Sequence, residues 1–332
     1  MSSIFDRFEL SSIKRMLKNA KAVHDRSHKP TLFILFDMAG CILKDHVGYM
    51  EYNLFDFVNR TKEQRETYVN FDYSQNLFKT LNDTAYTGIF NDKLSFNRLF
   101  KDYLGRDFLD VGNSTYEDFE KFCKGKKKIF AKPADSCSGK GIYRNLDVDG
   151  SADLHELYDY LKEHSLFVED SIVQNEKMSL LNPGSINTVR ITTLLHNDEA
   201  HMMYAILRIG LAGMSVDNVG SGGIYTLLSK DGQIVNPCWS DKTISTYTKH
   251  PDSGMELIGF KVPYFDEAVS LCKKAALVEK HVRYVGWDIA ITDKGPTIVE
   301  GNPLPGYDMP QNHFVSGSVT GLKPEFEKIL NS

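Results

Sequence analysis

Residues 286–303 of this chain read GWDIAITDKGPTIVEGNP, two runs rich in β-forming residues around an Asp-Lys-Gly turn. Such a pattern predicts a β-hairpin. If the hairpin is symmetric about Lys294, Asp288 pairs directly with Glu300. The two-residue period of a strand then places Asn302 on the same face as Glu300.

Two carboxylates that face each other destabilise a strand pair, so they need a cation between them or solvent in front of them. A hard divalent ion fits best. Carboxylate and amide oxygens are ligands of Mg²⁺, which takes further oxygens from the phosphates of a substrate. The hairpin alone is also compatible with ordinary solvated acids, so the nucleotide interpretation depends on other segments.

Bulk properties exclude several classes of protein. The chain has 332 residues, a length that indicates two or three compact lobes. Its formal net charge of -5 gives no reason to expect general nucleic-acid binding. Its five cysteines are scattered and never spaced as CxxC, so we expect neither structural zinc nor a disulfide framework. We find no signal peptide and no transmembrane segment, and we expect a cytoplasmic protein.

The first 90 residues are predicted to be mainly helical. Residues 4–26 place their apolar side chains on one helical stripe, which we interpret as a helix that packs on the body and not on a membrane surface. Residues 31–36 are either a buried strand or the apolar core of a helix, because periodicity cannot separate the two.

From residue 126 onward strands and loops become frequent. Residues 128–132 predict a strand, residues 133–141 a loop of small residues, and residues 151–164 a helix with Ser151 as its N-cap.

Further strands are predicted at 166–169, 188–195 and 201–208, and the last two are joined by a turn at 197–198. A helix over 266–281 precedes the carboxylate hairpin. This order suits an α+β fold in which antiparallel sheets have helices on one side.

A second candidate site surrounds Lys132, where the strand at 128–132 ends. A lysine on a rigid strand supplies a fixed positive charge, and the small residues up to Gly141 let backbone N–H groups approach phosphate oxygens. The loop does not match the P-loop pattern, and Gly-Lys-Gly also occurs in plain turns. What favours a phosphate site is the order of lysine, glycine loop and carboxylate hairpin.

That order resembles the ATP-grasp superfamily, and within it the sugar-transfer-associated branch related to α-L-glutamate ligases. The likeness covers about residues 90–310 and is carried by FAKP at 130–133, NTVRIT at 187–192 and the hairpin acids followed by PLPGY at 303–307. It implies two α+β subdomains whose antiparallel sheets clasp ATP.

The domain boundaries that we expect follow from this resemblance. They are a mainly helical region at 1–90, an ATP-grasp N-terminal subdomain with the phosphate lid loop at 91–170, and a C-terminal subdomain with the magnesium site at 171–332.

The resemblance also implies roles for single residues. Asp288, Glu300 and Asn302 match the magnesium ligands, with Glu300 as a bridge between two ions. Lys132 matches the lysine on the α and β phosphates. Lys93 matches an earlier nucleotide lysine, although it can equally be a solvated helix residue. The remaining nucleotide contacts are the phosphate lid and the adenine hinge, which acts through its main chain, at Ser138, Gly139, Gly141, Glu169, Asp170 and Ile172.

Arg190 and Arg208 resemble the arginines that face the γ-phosphate and the acyl phosphate. Guanidinium groups stay charged and bind planar oxyanions bidentately. The alternative is an ion pair on the surface of a sheet. The glycine-rich loop at 218–223 could offer N–H groups to a tetrahedral intermediate.

The chain departs from the family pattern in two places. Many relatives have a lysine where this chain has Leu207, and the first 90 residues lack the alternating strands and helices of a lobe that often binds the acceptor. The acceptor therefore cannot be transferred from better-known relatives. No HExxH or GxSxG pattern supports a hydrolase.

Together these features predict an ADP-forming carboxylate-amine ligase that uses ATP and two magnesium ions. A carboxylate would form an acyl phosphate, and an amine would displace phosphate to give an amide. The expected substrates are small carboxylates and amines, including sugar-linked ones, used in cell-surface polysaccharide or related glycan biosynthesis beside other glycan-assembly enzymes. A kinase with a hydroxyl acceptor and a nucleotide-binding scaffold without turnover remain as alternatives.

Overall fold

The structure is a computed structural model that describes residues 10–133, 143–150, 153–214 and 217–332. The expected lid residues Ser138, Gly139 and Gly141 lie outside the described residues, as does Ser151. The α-helices of the described chain are α1 (Leu10–Ser27), α2 (Thr31–Lys44), α3 (Tyr49–Leu54), α4 (Lys62–Glu66), α5 (Phe71–Leu81), α6 (Thr84–Asn91), α7 (Lys93–Leu99), α8 (Tyr116–Cys123), α9 (Leu154–Glu163), α10 (Glu176–Ser179), α11 (Phe265–Ala275), α12 (His313–Ser316) and α13 (Lys323–Leu330). The strands are β1 (Phe108–Asp110), β2 (Lys128–Pro133), β3 (Tyr143–Asp147), β4 (Leu166–Asp170), β5 (Thr188–His196), β6 (Glu199–Ile209), β7 (Ile224–Leu227), β8 (Cys238–Ser240), β9 (Ser245–Tyr247), β10 (Tyr284–Thr292) and β11 (Gly295–Asn302). Short 3-10 helices lie at Phe57–Asn59, Lys101–Tyr103, Val111–Asn113, Val219–Ser221 and Met309–Gln311.

The elements from α1 to α7 are all helical, as predicted, and the ambiguous run at 31–36 begins α2. Local capping explains where several of these helices start. Asp83 and Asp92 accept hydrogen bonds from the first turns of α6 and α7, at 2.9 Å from the Ala85 nitrogen and 2.6 Å from the Ser95 nitrogen.

Four antiparallel strands form the smaller sheet, in the order β1-β4-β2-β3. One face packs on α8 and α9 through Ile129, Val168 and Leu161. The predicted strands at 128–132 and 166–169 are confirmed as β2 and β4. The predicted N-cap of α9 was wrong: Asp153 caps this helix, with its carboxylate 2.9 Å from the His155 nitrogen.

The larger sheet has seven strands in the order β11-β10-β5-β6-β7-β8-β9, all antiparallel. The predicted hairpin at 197–198 is confirmed, and both turn residues have positive φ, which suits a tight turn between twisted strands. The predicted helix over 266–281 is shorter, because α11 ends at Ala275 and Val282 then pairs with Asn82.

Helices cover both faces of this larger sheet, which corrects the expectation of helices on one side. On one face, α6, α7 and α11 surround Trp287, Ile289 and Ile191. On the other face, Tyr204, Tyr225 and the C-terminal Phe326 share a core with the N-terminal helices. The N-terminal helices therefore pack on the same face that carries the charged site described below.

Candidate functional site

Glu300, Asp288 and Arg190 form one row across three adjacent strands. Asp288 pairs with Glu300 in β11 on one side and with Arg190 in β5 on the other. The predicted pairing of the two acids is therefore confirmed. A register shift next to Asp288 pairs Ile289 with Ile298, so the symmetric register holds at the acids but not nearer the turn.

Two arginines bind the Asp288 carboxylate. Arg190 donates from Nε to Oδ1 at 2.7 Å and from Nη2 to Oδ2 at 2.8 Å, and Arg208 donates from Nη2 to Oδ2 at 2.6 Å. Asp288 is buried. Burial opposes its ionisation, but the two guanidinium groups outweigh burial and hold the pKa of Asp288 well below its ordinary value. Two arginine side chains thus supply positive charge next to the paired acids.

Asp217 and Thr188 fix the position of Arg208, and sequence analysis missed both. Thr188 accepts from Arg208 Nε at 3.0 Å, while Asp217 Oδ2 accepts from the Thr188 nitrogen at 2.8 Å and from its hydroxyl at 2.5 Å. Asp217 Oδ2 also lies 3.7 Å from Arg208 Nε. Because Asp217 is 29 residues from Thr188 and follows no strand pattern, no signal in the sequence indicated this contact.

Glu300 differs from Asp288 because its side chain is exposed. It lies in a crowded part of the site, where loss of hydration and then the negative charge of Asp288 raise its pKa, against the effect of the arginines. Asn302, two residues further along β11, accepts a hydrogen bond from the Leu304 nitrogen at 2.9 Å. Glu300 is therefore the acid of the row that would gain most from an additional cation.

The donor set of this row fits magnesium. Asp288, Glu300 and Asn302 offer only carboxylate and amide oxygens, the ligands that Mg²⁺ prefers. Across the residues described, no cluster of three His, Cys, Asp or Glu side chains suits a metal ion, so an ion here would use two carboxylates, one amide and oxygens from outside the protein. Oδ1 of Asp288 accepts a single arginine hydrogen bond, so this carboxylate keeps acceptor capacity for an ion.

A second charged cluster lies in the smaller sheet, on the face opposite α8 and α9. Lys132 of β2 forms an ion pair with Glu169 of β4, and Arg106 Nε lies 3.3 Å from Glu169 Oε2. Glu169 is only 3% exposed. Burial raises the pKa of Glu169, but Arg106 and Lys132 outweigh it and lower this pKa to about 2. The Glu169 side chain therefore holds Lys132, a role that the sequence did not indicate.

Arg106 connects the two clusters. Besides its contact with Glu169, it donates from Nη1 to the Ile298 carbonyl at 2.6 Å and from Nη2 to the Val299 carbonyl at 3.2 Å. Those carbonyls belong to β11, directly before Glu300. Glu300 is also close enough to act electrostatically on Lys132. Lys132 of the smaller sheet and Glu300 of the larger sheet are thus neighbours.

The other described residues that were predicted to contact the nucleotide lie at or next to the ends of α7 and β4. Lys93 begins α7, and the rings of Phe90 and Phe96 on either side of it pack against Gly301. Asp170 ends β4 and forms an ion pair with Lys126 at 2.6 Å, while Ile172 follows the strand and is partly exposed.

The loop at 218–223 does not offer the free N–H groups that were expected. The nitrogens of Gly220 and Gly223 bond to Asn218, at 3.0 and 3.3 Å, and the Gly222 nitrogen bonds to the Val219 carbonyl at 2.9 Å. The Ser221 nitrogen bonds to the Asn218 carbonyl at 3.0 Å. These four donors are already used within the turn, and the contact of this loop with a tetrahedral intermediate stays a prediction.

Two antiparallel sheets with a strand lysine on one and a carboxylate row on the other define an ATP-grasp fold. The sugar-transfer associated ATP-grasp family matches residues 72–329. This match includes most of the chain, so the protein belongs to that family. A search of curated proteins gave no match.

Several solved structures are similar at low identity. The ATP-grasp ligase PsnB, complexed with a phosphomimetic variant of minimal precursor, Mg and ADP, is 15% identical over 76% of this chain and 60% of its own, with a TM-score of 0.43. D-alanyl-alanine synthetase A from Vibrio cholerae is 12% identical over 74% of this chain and 65% of its own, with a TM-score of 0.41. The D-alanine-D-alanine ligase from Coxiella burnetii is 9% identical over 78% of this chain and 62% of its own, with a TM-score of 0.45. The chain thus spans less than two thirds of the length of each of these proteins.

Within the described chain, none of the helices combines the length and the apolar character that crossing a bilayer requires.

Proposed function

We propose that this protein is an ADP-forming ligase that joins a carboxylate to an amine through an acyl phosphate. The observation that carries the proposal is the row of Glu300, Asp288 and Arg190, with Glu300 close to the Lys132–Glu169 pair of the other sheet. This arrangement combines oxygen ligands for a metal with fixed cations for phosphate, and none of its described side chains is poised as a nucleophile. Such a site suits chemistry in which the protein positions charged reactants.

In the proposed site, Lys132 contacts the α and β phosphates of ATP, and Glu169 and Arg106 keep its ammonium group in place. The main chain at Glu169, Asp170 and Ile172 contacts adenine, and Lys93 and the lid residues Ser138, Gly139 and Gly141 complete the nucleotide site. Magnesium bound by Asp288, Glu300 and Asn302 would neutralise phosphate charge during transfer.

Arg190 and Arg208 have the chemical role in this proposal. While they hold Asp288, the guanidinium groups would direct their remaining N–H donors toward the γ-phosphate and then toward the acyl phosphate. The carboxylate substrate attacks the γ-phosphorus, ADP leaves, and the amine then displaces phosphate from the acyl carbon. Asp217 and Thr188 hold Arg208 in position throughout.

The wider assignment belongs to the same proposal. We place the protein in the cytoplasm, in cell-surface polysaccharide or related glycan biosynthesis, with sugar-linked acids or amines among its substrates and glycan-assembly enzymes as its neighbours. The family description supports this direction. The division into residues 1–90, 91–170 and 171–332 is likewise a proposal, supported by the helical N-terminal elements and the two separate sheets.

ADP release tests the proposal. Carboxylates are screened against amines with ATP and magnesium, and a ligase requires both co-substrates and releases phosphate. A stable phosphorylated product with a hydroxyl acceptor alone would identify a kinase instead. Tight ATP binding without turnover for any pair would favour the scaffold.

A matched pair of variants ties turnover to the site. Glu300→Gln keeps the shape of an exposed side chain in the row, and we expect it to abolish magnesium-dependent ADP release. Glu199→Gln makes the same change at the exposed start of β6 and should leave release unchanged. Equal activity of the two variants would contradict the proposed metal site.

A further inference from the structure

Helix α2 is apolar on all sides, which is unusual for a helix at the protein surface. Among its 14 residues only Asp37 and Lys44 carry a charge. Asp37 is neutralised by Arg65, whose Nη1 and Nη2 atoms lie 2.9 and 2.7 Å from its carboxylate oxygens. A helix that is apolar all round is normally buried on all sides.

Among the described residues, contacts bury only one side of α2. Ile34, Met38 and Cys41 face the core that the N-terminal helices share with the larger sheet. The opposite side carries an exposed stripe, spaced at four, three and four residues, of Leu32, Phe36, Ala39 and Leu43. The exposed fractions are 70% for Leu32, 77% for Phe36 and 76% for Leu43, and Phe33 beside them is 51% exposed.

The exposed area is large enough for a specific contact. A large apolar side chain has about 150 to 250 Å² of surface, so the exposed fractions of Leu32, Phe33, Phe36 and Leu43 leave roughly 500 Å² uncovered. That is at the upper end of the largest patch on a typical monomer. Two such patches in contact would bury about 1,000 Å², the lower bound for a biological interface.

A protein surface is a better occupant than a lipid bilayer. The helix is about 21 Å long, too short to cross a hydrocarbon core of about 30 Å. A helix that lies in a membrane interface keeps a charged face in water, whereas the face of α2 behind its stripe is buried in the core of the protein.

The stripe is complementary to itself when it is reversed. In an antiparallel pair of α2 helices with a two-fold axis between positions 37 and 38, Leu32 faces Leu43 of the second copy and Phe36 faces its Ala39. The large ring then meets a methyl group, and small residues at a crossing let helices pack closely. A patch that matches its own reverse suits a two-fold contact, in which both copies use the same surface.

We infer that the exposed stripe of α2 binds a second copy of this chain, antiparallel and about a two-fold axis. The contact lies on the side of α2 away from the core and does not depend on the proposed ligase activity. Because its area is at the lower bound for a specific interface, we expect a dimer that dissociates in the micromolar range.

Sedimentation velocity of the full chain over a concentration series tests the contact. Wild type should shift from monomer to dimer as concentration rises. Leu43→Glu should weaken the dimer at least about tenfold, because it buries a charge at each end of the interface. The matched control Leu180→Glu replaces a leucine that is 61% exposed outside α2 and should dimerise like wild type. Unchanged thermal unfolding of both variants would show that they fold.

Cross-linking with a short bifunctional maleimide tests the register. Along the axis the two copies of residue 39 lie about 4.5 Å apart, whereas the two copies of residue 32 lie about 16 Å apart. Ala39→Cys should therefore cross-link to itself above the wild-type background, and Leu32→Cys should react only when it is mixed with Leu43→Cys. Self-reaction of Leu32→Cys would overturn the antiparallel register.

Two further results would overturn the inference. One is a wild-type chain that stays monomeric up to several hundred micromolar. The other is binding of the monomer to vesicles that contain anionic lipid, lost in Leu43→Glu but not in Leu180→Glu, because the stripe would then be a lipid-binding surface.

Discussion

Arg190 lies directly opposite Asp288 on the adjacent strand, and two of its nitrogens donate to the two oxygens of this carboxylate at 2.7 and 2.8 Å. Arg208 adds a third contact from the next strand at 2.6 Å. A buried acid is thus neutralised by two largely buried arginine side chains. The charge of Asp288 consequently supports the fold as well as the proposed metal site.

Asp288→Asn should destabilise the protein strongly. The change keeps the shape of the side chain but leaves the Arg190 guanidinium group without its paired carboxylate, and Arg208 with Asp217 alone. Removing one partner of a buried ion pair typically costs about 3 to 5 kcal/mol. We expect the free energy of unfolding, measured with urea at pH 7, to fall by an amount in that range.

A matched control separates this effect from the mere loss of an aspartate in the hairpin. Asp293→Asn changes an exposed residue at the turn between β10 and β11, and it should alter the free energy of unfolding by less than about 0.5 kcal/mol. If Asp288→Asn is as stable as Asp293→Asn, the two arginines are neutralised by other groups and the account of this cluster is wrong.

Local sequence signals were sufficient to predict the carboxylate row. The period of a strand and the position of the turn placed Asp288 opposite Glu300, and the pattern at 197–198 predicted a second hairpin. Both rest on residues close together in the chain, where strand geometry leaves few alternatives.

The groups around the row could not be predicted in this way. Asp217 contacts Thr188 from a loop, and Arg106 reaches the carbonyls before Glu300 from nearly two hundred residues away. Such contacts depend on how the two sheets come together, which no periodicity encodes. The secondary structure of residues 31–36 could not be decided from the sequence for a related reason, since a short apolar run suits a strand and a helix equally.

Glu169 should make stability depend on pH in the acidic range. Its pKa in the folded protein is about 2, against an ordinary value of 4.5. The ion pairs with Arg106 and Lys132 therefore stabilise the protein fully above pH 4.5, and this contribution is lost as the pH falls toward 2. A shift of this size corresponds to about 3 kcal/mol.

Glu169→Gln tests this dependence. The variant should be less stable than wild type at pH 7, and the difference in unfolding free energy should narrow as the pH falls from 5 to 3. Glu256→Gln removes an exposed ion pair with Lys249, and its unfolding free energy should differ little from that of wild type at any of these pH values. A constant difference between wild type and Glu169→Gln would contradict the lowered pKa.

Asp217→Asn should reduce turnover through Arg208. The change removes the charge 3.7 Å from Arg208 Nε and weakens the hold on Thr188, which accepts from the same guanidinium group. If Arg208 faces the transferring phosphate, kcat for ADP release should fall at least about tenfold, or about 1.4 kcal/mol, while KM for ATP changes less than about threefold.

The control for Asp217→Asn is Asp252→Asn, whose carboxylate accepts from the Ala212 nitrogen in an exposed loop. This variant should keep both kinetic constants. If Asp217→Asn instead raises KM for ATP about tenfold and leaves kcat unchanged, the residue supports ground-state binding and not the chemical step.

Gly301→Ala tests whether α6 and α7 support the strand that carries Glu300 and Asn302. A methyl group on Gly301 would lie 2.9 Å from ring carbons of Phe90 and Phe96, so β11 or the two rings must move. We expect a loss of about 1 to 3 kcal/mol in unfolding free energy. Because Gly301 stands between Glu300 and Asn302, magnesium-dependent ADP binding should weaken as well.

Gly88→Ala in α6 is the control for Gly301→Ala. Nothing lies within 4 Å of the added methyl group, so this variant should be as stable as wild type or more stable by about 0.5 to 1 kcal/mol. Normal ADP binding by a destabilised Gly301→Ala variant, measured by titration calorimetry, would mean that the rings give way and the row stays in place.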